Sequence, residues 1–317
     1  MKKSVVIALG GNAFQKKGEV TAEAQKAVAV QAGKIIAKLS EKYKVVVTHG
    51  NGPQVGNILI HEEKAGTPDA PAMPLETAGA MSQGQIGYWL TQAIDNAFAA
   101  EGKKKTAATV ITQSIVDRQD PAFRHPTKPI GQFYTKEQAL KLAKQNRWAV
   151  IDDAGRGWRR VVPSPIPIDI VEKHEIIGLI NSGTVVVAVG GGGIPVYRTK
   201  VLKKIKGVDA VIDKDFGSEK LAELIYADIF VSVTAVDNAC INFGKPNQSA
   251  LHRITTKKAD EYIKQGQFAA GSMLPKMQAV TKFAKKGGLG IITSIEKLED
   301  ALAGKAGTIV TKKLAFK

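Results

Sequence analysis

Three times in this chain a run of β-branched residues stops at a cluster of glycines: SVVIALGGN from Ser4, KVVVTHGNGPQVG from Lys44 and TVVVAVGGGGIPV from Thr184. A short, almost wholly apolar run is what a strand buried on both faces requires. Glycine just beyond it permits positive φ and lets a ligand approach the backbone closely. Longer stretches between these runs carry apolar residues at helical spacing. The pattern predicts strands at 4–9, 44–48, 106–112, 184–189, 228–234, 289–293 and 307–311. It predicts helices at 21–40, 53–66, 76–100, 135–146, 172–182, 215–226, 256–264, 273–286 and 296–303. Buried strands alternating with helices specify a doubly wound, mainly parallel α/β sheet. Ligands on such sheets sit beyond the carboxyl ends of the strands, where all three glycine loops fall.

A chain of 317 residues makes one large domain or two small ones. The segment VDAVIDKD at 208–215 divides it into an N-terminal lobe, 1–207, and a C-terminal lobe, 208–317. Residues 117–170 break the rhythm with RQDPAFRHPTKPIGQFY and DDAGRGWRRVVPSPIPID, and read as a protruding lid rather than another sheet layer.

No apolar run is long enough to span a bilayer. The start, MKKSVVIAL, begins like a signal peptide, but its apolar run is short and no cleavage site follows, so it reads as a first strand. Cys240 is the one cysteine, which excludes an internal disulfide and a cysteine-rich metal site. Its apolar setting, NACINF, reads as buried filler, and a reducing, cytoplasmic setting is expected. The 45 Lys and Arg against 29 Asp and Glu leave a net charge of +16, which suits anionic ligands. The lysines are scattered rather than interleaved with aromatics, so most read as solvated faces; a phosphate-rich ligand fits better than nucleic acid.

A tight turn needs one or two glycines, whereas Gly190–Gly193 supplies four after a buried strand. In HGNGPQVG, Pro53 is placed for the start of a helix whose free N–H groups would face an anion. The Walker pattern, an uninterrupted G-x-G-x-x-G and the protein-kinase signatures are all missing, so any phosphate lies in another cradle. Three lysines stand where the backbone is held: Lys128 in HPTKPIG, Lys214 in VIDKDFG and Lys276 in GSMLPKMQA. Fixed positive charge is what phosphoryl transfer needs. Asp213 and Asp215 either orient Lys214 or hold Mg²⁺; the alternative is a helix cap at the DKD turn. Arg156, Arg159 and Arg160 either clamp an anion or pair with Asp152 and Asp153. His49 has no suitably spaced partner for a metal and reads as an oriented loop residue.

Together VVIALGGNA, THGNGPQVG, AMSQGQIGYWL, HPTKPIG, DAGRGWRRVVPSP, GGGGIPV, VDAVIDKD and GSMLPK resemble the carbamate kinases of the amino acid kinase superfamily, from about Ser4 to Lys313. The resemblance implies a three-layer αβα sandwich around a mainly parallel sheet of about eight strands, with a small protruding subdomain, usually as a homodimer. It implies reversible phosphoryl transfer between ATP and carbamate, often run towards ATP at the end of arginine fermentation. The N-terminal lobe would take the carbamoyl group and the C-terminal lobe the nucleotide with Mg²⁺. Gly10, Gly11, Asn12, Gly50, Asn51 and Gly52 would contact the carbamate or the moving phosphate, with Gly191 and Gly192 beside them. Lys128 would cover the carbamoyl site; Lys214 and Lys276 would bridge the phosphates, organised by Asp213. Asp215, Thr234, Ala235, Val236, Phe243 and Met273 would lie near the nucleotide. Mg²⁺ would be held through phosphates rather than by protein side chains.

The chain departs from the family pattern at Gln267 and Ala270, in GQFAAGSM, and at Ser232, where an aliphatic residue is usual. A sister kinase for acetylglutamate, glutamate or UMP is the competing enzymatic reading, and a basic nucleotide-binding or nucleic-acid-binding module the non-enzymatic one.

Overall fold

The computed structural model describes residues 2–10, 21–153 and 155–313. Gly11 and Asn12 lie outside the described residues. The first part of the chain runs β1 (Ser4–Leu9), α1 (Ala22–Leu39), β2 (Lys44–His49), α2 (Gly52–Ala65), α3 (Leu75–Ala100), β3 (Ala107–Thr109) and β4 (Gln113–Val116). Next come β5 (Lys128–Tyr134), α4 (Lys136–Asn146), β6 (Ala149–Asp152), β7 (Trp158–Val162), β8 (Pro167–Ile170), α5 (Lys173–Asn181), β9 (Val185–Val187), β10 (Ile194–Arg198) and β11 (Ile205–Gly207). The remainder is α6 (Lys214–Leu224), β12 (Ile229–Thr234), β13 (Cys240–Ile241), β14 (Ser249–Ala250), β15 (Arg253–Thr255), α7 (Thr256–Lys264), α8 (Met273–Lys285), β16 (Leu289–Ser294), α9 (Leu298–Leu302) and β17 (Thr308–Thr311).

The central sheet has eight strands in the order β15-β17-β16-β12-β1-β2-β9-β3. Every neighbouring pair is parallel except β16–β17. Alternate residues of each strand enter opposite layers, as the pleat demands. Val5, Ile7 and Leu9 pack with Ile36 of α1 and Ile86, Leu90 and Phe98 of α3. Val6, Ala8 and Phe230 pack with Leu221 of α6 and Met277, Val280 and Phe283 of α8. These two cores make the αβα sandwich. The register sets Leu9 beside His49 and Ala8 beside Ser232, so the carboxyl ends of β1, β2 and β12 form one edge.

A smaller sheet, β11-β10-β4-β8, flanks the first. Two expected strands are shorter than predicted for that reason. The 106–112 run leaves the central sheet after Thr109, and the 184–189 run after Val187. Gln83 of α3 explains the first break: its side chain accepts from the Thr112 N–H at 2.8 Å and donates to the Thr112 carbonyl at 3.1 Å. The Thr112 carbonyl also accepts from the Ile194 N–H of β10 at 2.8 Å, so the chain passes from β9 to the smaller sheet here. Within the 117–170 stretch, β5, β7 and β6 form a separate three-stranded antiparallel sheet. Its Ile130 and Val162 are buried against Val55 and Leu59 of α2. Cys240 is half-buried in β13, less enclosed than its apolar neighbours suggested.

Candidate active site

The loops after β1, β2, β9 and β12 open into one cavity of about 850 Å³ at the carboxyl edge of the sheet. That is the size of a small-molecule site. Gly10, Gly50, Asn51, Gly52 and Gly191 line it from one side, and Thr234, Ala235, Ser272 and Lys276 from the other. Lys128, Ile130 and Arg159 reach in from the three-stranded sheet.

The glycine turn at Gly190–Gly192 is tightly enclosed and takes positive φ at Gly191 and Gly192. Gly192 has φ +93, and a Cβ there would meet the Ile212 carbonyl oxygen at 2.6 Å. At Gly191, with φ +65, a Cβ would meet the Asn51 side chain at 2.3 Å. Two of the predicted loops therefore touch, and only glycine fits between them. Gln83 Nε2 donates to the Gly190 carbonyl at 3.0 Å and so ties this turn to α3. The Asn51 amide donates to Ser82 Oγ at 2.8 Å.

Helix α6 begins at the cavity. Asp213 caps it, accepting from the Asp215 N–H at 3.0 Å. The helix N-terminus adds a positive dipole end there. The cap and the lysine-orienting readings of the DKD turn are thus both correct. Lys128 Nζ, on β5 of the three-stranded sheet, lies 2.9 Å from Asp213 Oδ2. Asp215, not Asp213, holds the other two lysines: Lys214 Nζ is 3.0 Å from Oδ1 and Lys276 Nζ is 2.9 Å from Oδ2. The physical reason is direction, since Asp213 spends one oxygen on the cap and the other on Lys128. Ser232 Oγ donates to Asp215 Oδ1 at 2.6 Å.

Burial pulls the Lys214 ammonium below its ordinary value, against the opposing pull of Asp215. Burial works against charge on Asp215 as well, but Lys214, Lys276 and Ser232 outweigh it and hold this carboxyl below the usual range. His49 is fully enclosed, and burial draws its imidazole down to about 4 although the Gly50 carbonyl opposes this. It is therefore neutral at pH 7. Thr48 and Ser218 share a buried hydrogen bond of 2.5 Å between β2 and α6.

A family model described as the amino acid kinase family matches residues 3–294. The carbamate kinase of Thermococcus kodakarensis is 49% identical over 316 residues, covering 98% of this chain and 99% of that protein. The carbamate kinase of Latilactobacillus sakei is 47% identical over 315 residues, with 98% and 99% covered. A solved structure, carbamate kinase from Giardia lamblia bound to AMP-PNP, superimposes with a TM-score of 0.93 at 46% identity, covering 98% of this chain and 99% of that one.

The chain belongs to the carbamate kinases, in the amino acid kinase family. A carbamate kinase is a phosphotransferase that uses ATP or ADP, and the three-layer αβα sandwich is the fold of its family. Of the residues picked out in the sequence, Gly10, Gly50, Asn51, Gly52, Gly191, Thr234, Ala235, Lys128, Asp213, Lys214, Asp215 and Lys276 line this carbamate kinase's cavity. Gly192 sits just behind it against Gly217 of α6. Val236 and Phe243 are outside the lining, and Phe243 is 72% exposed. Met273, the first residue of α8, is outside the lining and packs partly against the core. Arg156 and Arg159 pair with Asp153, at 2.9 and 3.2 Å, and Arg160 with Asp209 at 2.8 Å. Of the three, only Arg159 also reaches the cavity.

Sequence reading overlooked Gln83 and Ser272. Gln83 had a visible signal, the AMSQGQIGYWL motif, but not a visible role. Among the described residues no three His, Cys, Asp or Glu side chains gather as a metal cage. Asp213 and Asp215 are both engaged by lysines.

Proposed function

We propose that this chain transfers a phosphoryl group reversibly between MgATP and carbamate, working towards ATP where carbamoyl phosphate from arginine breakdown is supplied. Convergence of Lys128, Lys214 and Lys276 on one glycine-lined cavity carries this reading. In the ATP-forming direction a terminal oxygen of ADP attacks phosphorus in line. The bond from phosphorus to the carbamoyl oxygen breaks, and carbamate leaves as an anion. In reverse the carbamate anion is itself the nucleophile, so no general base is needed. Charge spreading over the phosphoryl oxygens is met by fixed ammonium groups and backbone N–H donors.

Lys214 and Lys276 would take the moving phosphoryl group and the nucleotide phosphates, and Lys128 the carbamoyl end. Gly10, Gly50, Asn51 and Gly52, with Gly11 and Asn12, would surround the transferring phosphate, and Thr234 and Ala235 would face the nucleotide. Mg²⁺ bound to the phosphates would neutralise part of their charge. The lobe 1–207 would then be the carbamoyl side and 208–317 the nucleotide side, with the lid at about 117–170 covering the former. A cytoplasmic homodimer is the expected form.

A coupled assay with ADP, Mg²⁺ and carbamoyl phosphate should show rapid ATP formation. Silence in that assay, alongside phosphorylation of acetylglutamate, glutamate or UMP, would overturn the proposal.

A further inference from the structure

Ser232 sits in β12 in the middle of the central sheet, between Ala8 of β1 and Ile292 of β16. It is wholly buried, and its sheet neighbours Ala8, Phe230 and Ile292 belong to an apolar layer. A hydroxyl there is costly unless it finds a partner. Its hydrogen bond runs to Asp215 Oδ1 at 2.6 Å, on the carboxylate that carries two lysines. Ala8, directly opposite in register, offers its carbonyl to Lys214 Nζ at 3.4 Å. The sheet thus grips both members of the Asp215–Lys214 pair from one rung.

Lys214 and Lys276 each carry three N–H groups, so each can keep Asp215 while donating to phosphate oxygens. A polyphosphate in the cavity would nevertheless pull both ammonium groups towards its own charge. Asp215, a side chain that is 4% exposed, would then be held by donors drawn away from it. A buried carboxylate whose donors shift would rotate with them. The Ser232 hydroxyl is the donor to Asp215 that carries no charge for the phosphates to attract.

We propose that Ser232 is a positioning residue for phosphoryl transfer: its hydroxyl locks Asp215 so that Lys214 and Lys276 can be shared with the substrate phosphates without losing their anchor. This rests on the kinase reading above.

The test compares three variants by steady-state ATP formation from carbamoyl phosphate and ADP, with active sites titrated. Ser232→Val and Ser232→Thr have the same shape and differ in the hydroxyl. Ser232→Ala guards against a fold too crowded for the extra methyl group. Loss of the hydroxyl in Val and Ala should lower kcat by about tenfold, the scale of one hydrogen bond to a charged group. KM for both substrates should stay within about twofold, since the anchor matters most when charge spreads in the transition state. Ser232→Thr should recover turnover to within about threefold of the parent chain, because it keeps the donor. Equal kcat in Thr and Val, or parental kcat in Ala, would overturn the proposal. An inactive parent chain would instead overturn the kinase reading, so the two failures are distinguishable.

Discussion

Asp213 and Asp215 lie two residues apart and hold the three lysines in opposite ways. Asp215 is 4% exposed and grips two ammonium groups that are 10% and 14% exposed, from α6 and α8. Asp213 is 19% exposed and takes one lysine that is 38% exposed, from the three-stranded sheet. The first arrangement is a preformed interior site: its charges are poorly screened, and breaking it strands a buried charge. The second is a rim contact, screened by water and salt, and worth little on its own. Parting Lys128 from Asp213 costs little, whereas parting Lys214 from Asp215 strands a buried charge.

Substitution on the buried side should be the most damaging. Lys214→Ala should lower turnover by on the order of 10²–10³, as loss of one preorganised donor does. Near-normal turnover in that variant would remove the interior site from the mechanism.

The next effect also belongs to the interior. His49 is enclosed beside Lys214, and its pKa is drawn from 6.5 down to about 4. A depressed histidine favours the folded state fully above pH 6.5, and this contribution fades as pH falls from there towards 4, where the unfolded chain alone is protonated. Across that window it amounts to on the order of 3 kcal/mol. Urea unfolding at a series of pH values should show wild-type stability falling more steeply than that of His49→Gln. Parallel curves would mean the imidazole is not held neutral.

The smallest effect belongs to the rim. Lys128→Ala should reduce kcat/KM for carbamoyl phosphate by about tenfold, one charged hydrogen bond, with melting temperature almost unmoved. Raising the salt concentration should shrink the difference. A loss as large as that of Lys214→Ala would erase the contrast between interior and rim.

Much of this was legible beforehand because the signals are local. Val5 to Leu9 and Val45 to Val47 are apolar on both faces, and the glycines after them stop the strand where the ligand edge must be. Lys128, Lys214 and Lys276 stood out because proline, glycine or aspartate pins the backbone beside them. The early end of the 106–112 strand was not legible, since it depends on Gln83 reaching Thr112 from another element. Phe243 was expected near the nucleotide, and its 72% exposure could not be read from its place in a loop.

Hydrophobic period and glycine placement, both properties of neighbouring residues, were enough to determine a parallel sheet with its site at one edge. Which aspartate holds which lysine was decided only by folding. Lys128 reaches Asp213 across 85 residues and Lys276 reaches Asp215 across 61, while a buried serine on a third element completes the set. Such pairings arise from angstrom-scale geometry between separate layers, which no spacing along a chain encodes.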